Sequence, residues 1–358
     1  MISISILKYR NNPFASIDAD HLRAMLVESY FQGAHLTILT GDSDDKEEKI
    51  TAYKWDYDKE QWYVSEIDIP DVVICYGTPV TEKHEKLTRL LQKHSTFVSE
   101  ATCHKFEQYK LISESEFADL NIPTVELNRN NLDNSLEVIK GMLLRYSSIV
   151  IKRATSSRGL GLLFIDNSEN EWVLDDCKTK IHGDLDFITA STHKKIASRL
   201  KYRDYLIQPL INSSIQDRAF DFRVHTQKNR NGEWQITRSY VRLSELSSYL
   251  PNTSKGGYQG DIEPFLENYF PKHADAILEK LHSSAIGISQ LRNTHAKNQL
   301  SELGIDYILD PSSKLWVVEA NIFPGAKYHY YPRIATKIGY ALFLYKNKEK
   351  LNEFQKEL

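Results

Sequence analysis

The stretch WVVEANIFPG at positions 316–325 places two polar side chains in a segment that otherwise has the composition of a buried strand. Side chains alternate between the two faces of a strand with a period of two, so Glu319 and Asn321 point to the same face. A solvent-exposed strand edge would account for such a polar pair. A binding site is the other explanation, and the residues upstream bear on the choice.

A second strand, ELGIDYIL at 302–309, is predicted directly upstream and carries one acid in its middle. The connection DPSSK is rich in turn formers, so the two strands should form an antiparallel hairpin. With a four-residue loop, Asp306 lies directly opposite Glu319. Opposed carboxylates destabilise a sheet, with side-chain carbons only about 5 Å apart, unless a cation lies between them.

Magnesium is the natural cation for such a pair. Mg²⁺ typically binds one or two carboxylates together with phosphate oxygens of a substrate, and Asn321 could add a third oxygen from the face of Glu319. A loop of three or five residues would take Asp306 out of opposition to Glu319. A solvated strand edge is therefore the alternative to the metal site.

The size and charge of the chain exclude several classes of protein. Its 358 residues predict two or three subdomains of roughly 100–150 residues each. A net charge of −3 gives no electrostatic footprint for nucleic acid or an anionic membrane. The N-terminus MISISILKYR lacks the continuous apolar core of a secretory signal, and no run approaches a membrane span of about 20 apolar residues. We expect a cytoplasmic protein with neither nucleic-acid nor membrane partners. The sequence does not predict its oligomeric state.

The cysteines exclude two further kinds of site. Cys75, Cys103 and Cys177 are odd in number and lack CxxC spacing, which argues against a disulfide framework and a zinc site. They are predicted to be packing residues.

The order of predicted elements separates an N-terminal region from the rest. Residues 1–100 alternate strands and helices, from MISISIL to DVVICYG and EKHEKLTRLLQKH, which predicts a small α/β domain with a partly parallel sheet. Mixed α and β content follows to the C-terminus. The serine-rich stretch 244–255 is predicted to be a loop.

A lysine and a glycine-containing loop form a second candidate site. IVIKRATSSRGLGLLFID places Lys152 at the end of a strand, ahead of a loop with Gly159 and Gly161 and then another strand. This strand-loop-strand order fits neither the GxxxxGK[ST] nor the GxGxxG motif, because both open a helix. Glycines let the backbone approach a ligand, and a lysine supplies a charge for phosphate oxygens. The functional interpretation is a phosphate cover, and the alternative is an ordinary hairpin loop.

These segments occur in an order that resembles ATP-grasp enzymes. Lys105 precedes a helix ending in NIPTVEL, and IVIK with SSRGLG, YLIQPLI, FDFRV, NTSKGG, GIDYIL and WVVEANIFPG follow. The sequence is most similar to the YheC/YheD-type, spore-coat-associated branch, with RimK-like ligase motifs, over about residues 105–333. The resemblance implies an ATP-grasp fold, in which two α+β subdomains at 101–207 and 208–358 hold ATP and follow the α/β domain at 1–100.

The resemblance also implies a role for each motif residue. Lys105 and Lys152 would contact ATP phosphates under a loop that contains Ser156, Ser157, Gly159 and Gly161. Gln208 and Leu210 would lie in the hinge that binds adenine, where Pro209 has no N–H to donate. The magnesium ligands would be Asp306, Glu319 and Asn321. Residues near the transferred phosphate and carboxylate would be Arg223, Arg242, Asn252 and Lys255.

The function that the resemblance implies is an ATP- and Mg²⁺-dependent carboxylate-amine ligase that acts through an acyl phosphate. Its substrates would be small-molecule or peptide carboxylates and amines. His225 and His329 are candidates for a general base, although a packing or surface role suits each of them better. Two alternatives remain: a nucleotide-binding structural or coat-associated protein without ligase turnover, and a kinase that stops at phosphoryl transfer.

Overall fold

Three β-sheets and their flanking helices make up the computed structural model of the chain. It describes residues 1–10, 12–14, 17–43, 45–46, 49–99, 105–154, 161–168, 171–245, 257–296, 300–325 and 328–348. No helix in these ranges is long and apolar enough to cross a bilayer.

The first sheet contains seven strands and is partly parallel, as the alternation of strands and helices predicts. Its elements are β1 (Ile2–Lys8), α1 (Ala19–Phe31), β2 (Ala34–Thr40), β3 (Asp45–Lys46), β4 (Lys49–Asp56), β5 (Gln61–Asp68), β6 (Val72–Tyr76), α2 (Glu82–His94) and β7 (Thr96–Val98). The parallel strands lie in the order β2-β1-β6-β7, and β3, β4 and β5 extend the β2 edge as antiparallel strands. Thr81 caps α2 by accepting a hydrogen bond from the backbone N–H of His84.

The second sheet is antiparallel and has six strands in the order β12-β11-β10-β9-β13-β8. Its elements are α3 (Lys105–Ser113), β8 (Val125–Leu127), α4 (Ser135–Tyr146), β9 (Ser148–Arg153), β10 (Leu163–Ser168), β11 (Glu171–Asp175), β12 (Lys180–Gly183), α5 (Leu185–Leu200) and β13 (Tyr205–Pro209). Strands β9 and β10 pair directly, so the predicted strand-loop-strand around Lys152 is confirmed.

The third sheet is also antiparallel, in the order β17-β16-β15-β18-β19, with β14 on β15. Its elements are β14 (Ser214–Ile215), β15 (Arg218–Lys228), β16 (Trp234–Leu243), β17 (Tyr258–Asp261), α6 (Ile262–Tyr269), α7 (Ala274–His295), β18 (Glu302–Leu309), β19 (Leu315–Asn321) and α8 (Tyr330–Lys346). Alternate residues of β15 and β18, such as Phe222, Val224 and Ile305, pack in one core with α6 and α7. The other face of this sheet is polar.

The last helix, α8, packs against the first sheet as well as against the third. Ile334 and Ile338 of α8 are buried in the same apolar cluster as Ile4 and Ile6 of β1, together with residues of α1 and β6. Residues far apart in sequence therefore close the first domain, and α8 lies between the first and third sheets.

The cysteines differ from the packing role predicted for all three. Cys75 is buried in β6, but Cys177 is exposed, in a turn where its backbone has φ +65°. Cys103 lies outside the described residues.

Candidate active site

The hairpin of β18 and β19 places Asp306 opposite Glu319, but not through the loop that the sequence predicts. Leu309 pairs with Leu315, so the turn contains the five residues 310–314 rather than four. A register shift then leaves Val318 unpaired, as a β-bulge, and Asp306 comes to face Glu319. The expected opposition is present because the bulge offsets the longer turn.

The bulge also changes which face Glu319 occupies. Val317 is fully buried in the helix-covered core of the third sheet. Glu319 lies two residues further on, and in a regular strand it would point into the same core. Because Val318 interrupts the alternation, Glu319 and Asn321 join Asp306 on the polar face.

Two arginines hold Asp306 on this face. Arg223 of β15 makes a two-pronged contact, with Nε to Oδ1 and Nη2 to Oδ2, the second at 2.6 Å. Arg242 of β16 brings Nη2 to within 3.0 Å of Asp306 Oδ1. Burial alone would raise the pKa of Asp306, but the two guanidinium groups outweigh it and lower this pKa. Asp306 is thus an ionised, buried carboxylate.

A different cation contacts the opposing carboxylate. Lys105 Nζ lies 2.8 Å from Glu319 Oε1, so the start of α3 is tied to β19. Asn321 Nδ2 lies 3.4 Å from Asp306 Oδ2. Cationic side chains therefore neutralise both acids. Arg223 and Arg242 contact Asp306, and Lys105 contacts Glu319.

The donors on this face suit a hard divalent cation. The donor types on this face, two carboxylates and one amide, are ones that Mg²⁺ binds together with phosphate oxygens. Within the described ranges, no group of three or more His, Cys, Asp and Glu side chains could hold a metal. A site with two carboxylates would need oxygens from a bound phosphate. Two cations lie close to these acids, since Lys105 contacts Glu319 and Lys152 interacts electrostatically with both carboxylates.

Lys152 is buried beside the acids and contacts an aromatic residue of α3. Its Nζ donates to Tyr109 Oη at 2.5 Å, and the Tyr109 hydroxyl donates to the carbonyl of the bulged Val318. Burial lowers the pKa of Lys152 to about 8, although Glu319 and Asp306 act in the opposite direction. Burial raises the pKa of Tyr109, so its phenol stays neutral.

The predicted hinge residues lie at the end of β13. Gln208 is buried and donates Nε2 to Thr124 Oγ1 at 2.8 Å. The Leu210 N–H donates to the Ser148 carbonyl at 2.9 Å, and Pro209 has no N–H. An adenine contact that used the Leu210 N–H would have to replace its bond to Ser148.

Two local features shape the polar face. A Cβ added at Gly304 would lie 2.6 Å from Pro324 Cβ and 3.1 Å from Arg223 Cδ, so the glycine allows both to pack over β18. Phe323 adopts φ +53°, an uncommon conformation for a residue with a side chain, as the chain leaves β19. The Gly-Ile-Asp and Asn-Ile-Phe-Pro motifs therefore fit together sterically.

The other predicted residues divide into two groups. Gly161 has φ +76°, and a Cβ there would lie 2.6 Å from Arg153 Nε, so a side chain would be strained. Outside the described residues lie Ser156, Ser157, Gly159, Asn252 and Lys255. The roles of all these residues in ligand binding stay predictions.

Sequence reasoning missed two residues of this site. Tyr109 follows Lys105 by one helical turn, and that spacing could have indicated a shared face. Asp221 accepts two hydrogen bonds from Arg242, at 2.6 and 2.5 Å. It precedes Arg223 by two residues on β15, so strand periodicity could have placed both on the polar face.

The two candidate bases lie together further along the polar face. His225 Nδ1 and His329 Nε2 are 2.8 Å apart, and His225 Nε2 lies 3.4 Å from Glu302 Oε2. Arg333 holds the buried Glu302 with bonds of 3.0 and 2.7 Å. Burial lowers the pKa of both histidines, that of His329 to about 3, so both are neutral at pH 7.

Comparison with known proteins finds a family model and two sequence relatives of the same type. A model of the YheC/D like ATP-grasp family matches residues 94–345. The endospore coat-associated protein YheD of Bacillus subtilis (strain 168) is 28% identical over 215 residues, covering 58% of this chain and 46% of YheD. The endospore coat-associated protein YheC of the same organism is 23% identical over 276 residues, covering 74% of each chain. This chain thus spans about half the length of YheD.

Solved structures share the fold. D-alanyl-alanine synthetase A from Vibrio cholerae aligns with a TM-score of 0.56 at 16% identity, covering 96% of each chain. The D-alanine-D-alanine ligase from Coxiella burnetii aligns with a TM-score of 0.56 at 12% identity, covering 100% of each chain. At these identities the likeness establishes the fold alone.

Proposed function

The chain belongs to the YheC/D-like ATP-grasp family, and we propose that it is an ATP- and Mg²⁺-dependent ligase that joins a carboxylate to an amine through an acyl phosphate. The observation that carries the proposal is the polar face of the third sheet. There the carboxylates of Asp306 and Glu319 and the amide of Asn321 lie close to Lys105 and Lys152. The names of the structural neighbours, which are ligases of D-alanine, support the same class of reaction.

The chain's own residues supply what phosphoryl transfer requires. Phosphoryl transfer depends on positioning and charge neutralisation, so a protein nucleophile is not needed. Magnesium, when bound by Asp306, Glu319 and Asn321, would neutralise charge on the phosphates. Lys105 and Lys152 would exchange their present partners, Glu319 and Tyr109, for phosphate oxygens.

Two steps would complete the reaction. A carboxylate oxygen of the first substrate attacks the γ-phosphorus, the bond to the bridging oxygen breaks, and ADP leaves. The nitrogen of the amine then attacks the acyl carbon, inorganic phosphate leaves, and the nitrogen loses a proton. Arg223 and Arg242 stand beside Asp306, where they would stabilise the charge on the acyl phosphate.

A nucleotide-binding role without turnover is a second candidate. YheD and YheC are both named as endospore coat-associated proteins. In addition, the Leu210 N–H, the expected adenine contact, is bonded to Ser148. A coat-associated protein could keep the fold and bind nucleotide without joining substrates.

One assay separates these functions. The protein is incubated with Mg-ATP and pools of amino acids and short peptides, while ADP, phosphate and new masses are followed, with hydroxylamine in a parallel reaction. A ligase gives ADP, phosphate, an amide mass and a hydroxamate, and each depends on Mg²⁺. A phosphorylated product without an amide would indicate a kinase. Nucleotide binding without ADP release in any pool would favour the coat-associated role.

A further inference from the structure

The carboxyl ends of β1 and β6 lie next to each other at the point where the first sheet changes direction. The chain passes from β1 to β2 on one side and later returns to β6 on the other side of β1. In open α/β sheets, ligands bind outside the carboxyl ends of the strands at such a switch point. Lys8 of β1 and Tyr76 of β6 are paired there.

Cationic side chains surround Tyr76. From α8, Arg333 Cζ lies 5.7 Å and Lys337 Nζ 5.8 Å from the centre of its ring. Both cations contact the fully buried Glu302, with Arg333 Nη2 at 2.7 Å and Lys337 Nζ at 3.6 Å from Oε1. Lys8 lies on the same face of the first sheet and adds a charge that Glu302 does not bind.

Among the described residues, the two charged groups that shift the pKa of Lys8 are both cations. Burial, together with the charges of Arg10 and Arg333, lowers this pKa to about 8. Within the described part of the chain, no carboxylate contributes to this shift. A half-buried ammonium beside two guanidinium groups is unfavourable unless an anion joins them.

Two histidines add nitrogen atoms that have no hydrogen-bond partner in the described part of the chain. His329 is 5% exposed, and its Nδ1 is buried without such a partner. His21 stacks on Tyr330 with ring centres 4.6 Å apart, and its Nε2 is buried in the same way. Leaving a buried polar atom unbonded is unfavourable, and a polar ligand that bonded to it would remove that cost.

The switch point is linked to the candidate active site by one face of β18. Glu302 and Asp306 lie four residues apart on β18 and point to the same face. At a rise of about 3.3 Å per residue, the two carboxylates are roughly 13 Å apart, about the length of four residues of extended peptide. A substrate that reacted at Asp306 could therefore place its far end at the switch point.

We propose that Lys8, His21, Tyr76, His329, Arg333 and Lys337, here called the switch-point cluster, bind an anionic group on the non-reacting end of the substrate. The group is a carboxylate or a phosphate, because both accept hydrogen bonds from ammonium, guanidinium and imidazole N–H groups. The substrate would thus be an acidic peptide or a phosphorylated equivalent. The substrate part of this inference rests on the proposed ligase function, whereas anion binding itself does not.

Competitive acetylation of the whole chain tests anion binding without turnover. Acetic anhydride at limiting amounts is added at pH 7.5 and constant ionic strength, and acetylation of each lysine is followed by mass spectrometry. Succinate or inorganic phosphate should slow the acetylation of Lys8 several-fold. Neutral succinamide should not, and exposed Lys54 serves as the internal control. The two anions distinguish a carboxylate site from a phosphate site.

Two variants test the make-up of the cluster. His21→Phe keeps a ring on Tyr330 but removes Nε2, so it should weaken the protection of Lys8, whereas exposed His94→Phe should not. The proposal would be overturned if neither anion protected Lys8, if Lys54 were protected equally, or if His21→Phe left the protection of Lys8 unchanged. Because the readout needs neither ATP nor amide formation, an inactive protein that still shows protection would refute only the ligase function.

Discussion

Asp306 faces Glu319 across two antiparallel strands, and the bulged Val318 between Val317 and Glu319 makes this possible. The two acids nevertheless have different surroundings. Asp306 is buried between Arg223 and Arg242, whereas Glu319 keeps 22% of its side chain exposed and binds Lys105. Their replacement should therefore separate catalysis from stability.

Substitution of the two acids is the first prediction. Glu319→Gln should lower turnover by about a hundredfold or more through loss of a metal ligand, and change unfolding free energy by only about 1 kcal/mol. Asp306→Asn should lower turnover similarly but cost about 3 kcal/mol or more, because buried Arg223 loses its counter-charge and Arg242 keeps only Asp221. Urea unfolding and ADP release measure the two effects, with exposed Glu267→Gln as control. Equal stability of the two variants would contradict this account.

Tyr109 should link nucleotide binding to the bulge. Tyr109→Phe removes the hydrogen bond to the Val318 carbonyl and the acceptor for Lys152. We expect a loss of about 1–3 kcal/mol in stability, because a buried carbonyl loses its donor, together with weaker ATP binding. Chemical denaturation and equilibrium dialysis measure these, and Tyr202→Phe, at a residue that is 85% exposed, is the control. Unchanged affinity and stability would show that the hydroxyl is dispensable.

The pH dependence of ATP turnover should reveal the loss of the proton from Lys152. Its pKa is lowered to about 8 by burial, and phosphate binding requires the charged form. We expect kcat/KM for ATP, which reflects the free enzyme, to fall as pH rises above about 8. Lys152→Arg should lack this decline at whatever activity it retains, because a guanidinium stays protonated. A decline that persists in Lys152→Arg would assign it to another group.

The buried histidine pair should make the fold sensitive to acid. The folded state keeps His329 neutral, with a pKa lowered to about 3, while the unfolded chain takes up a proton near pH 6.5. Stability should therefore fall as pH drops below about 6.5, by up to about 1.4 kcal/mol per pH unit for each such histidine. Urea unfolding at pH 7 and pH 5.5 should show a smaller difference for His329→Gln than for the wild type. As a control, exposed His94→Gln should show the same difference in stability between pH 7 and pH 5.5 as the wild type.

The sequence predicts which face of a strand carries the site residues, but not which side chains contact them there. Turn chemistry predicts the hairpin, but the opposition of Asp306 and Glu319 was expected from a four-residue loop that the structure does not have. The five-residue turn and the compensating bulge were not foreseen, because register depends on packing of Val317 in the core rather than on local preference. The cations that neutralise each acid come from α3, β15 and β16, which only tertiary structure brings together.

The first domain shows a similar limit. Alternating strands and helices predicted its parallel sheet, but nothing in residues 1–100 indicates that α8 covers one face of it. The apolar residues of α8 could equally have packed against the third sheet. The switch-point cluster depends on the same helix, since Arg333 and Lys337 reach Tyr76 only because of this packing.

The position of α8 has a consequence for how the chain is made. Ile4 and Ile6 are synthesised long before Ile334 and Ile338, which help cover them. Until α8 has been synthesised, the nascent first sheet therefore exposes an apolar face, which is a hazard for aggregation. A premature stop codon between the first domain and α8 should therefore destabilise a domain that lies entirely upstream of it.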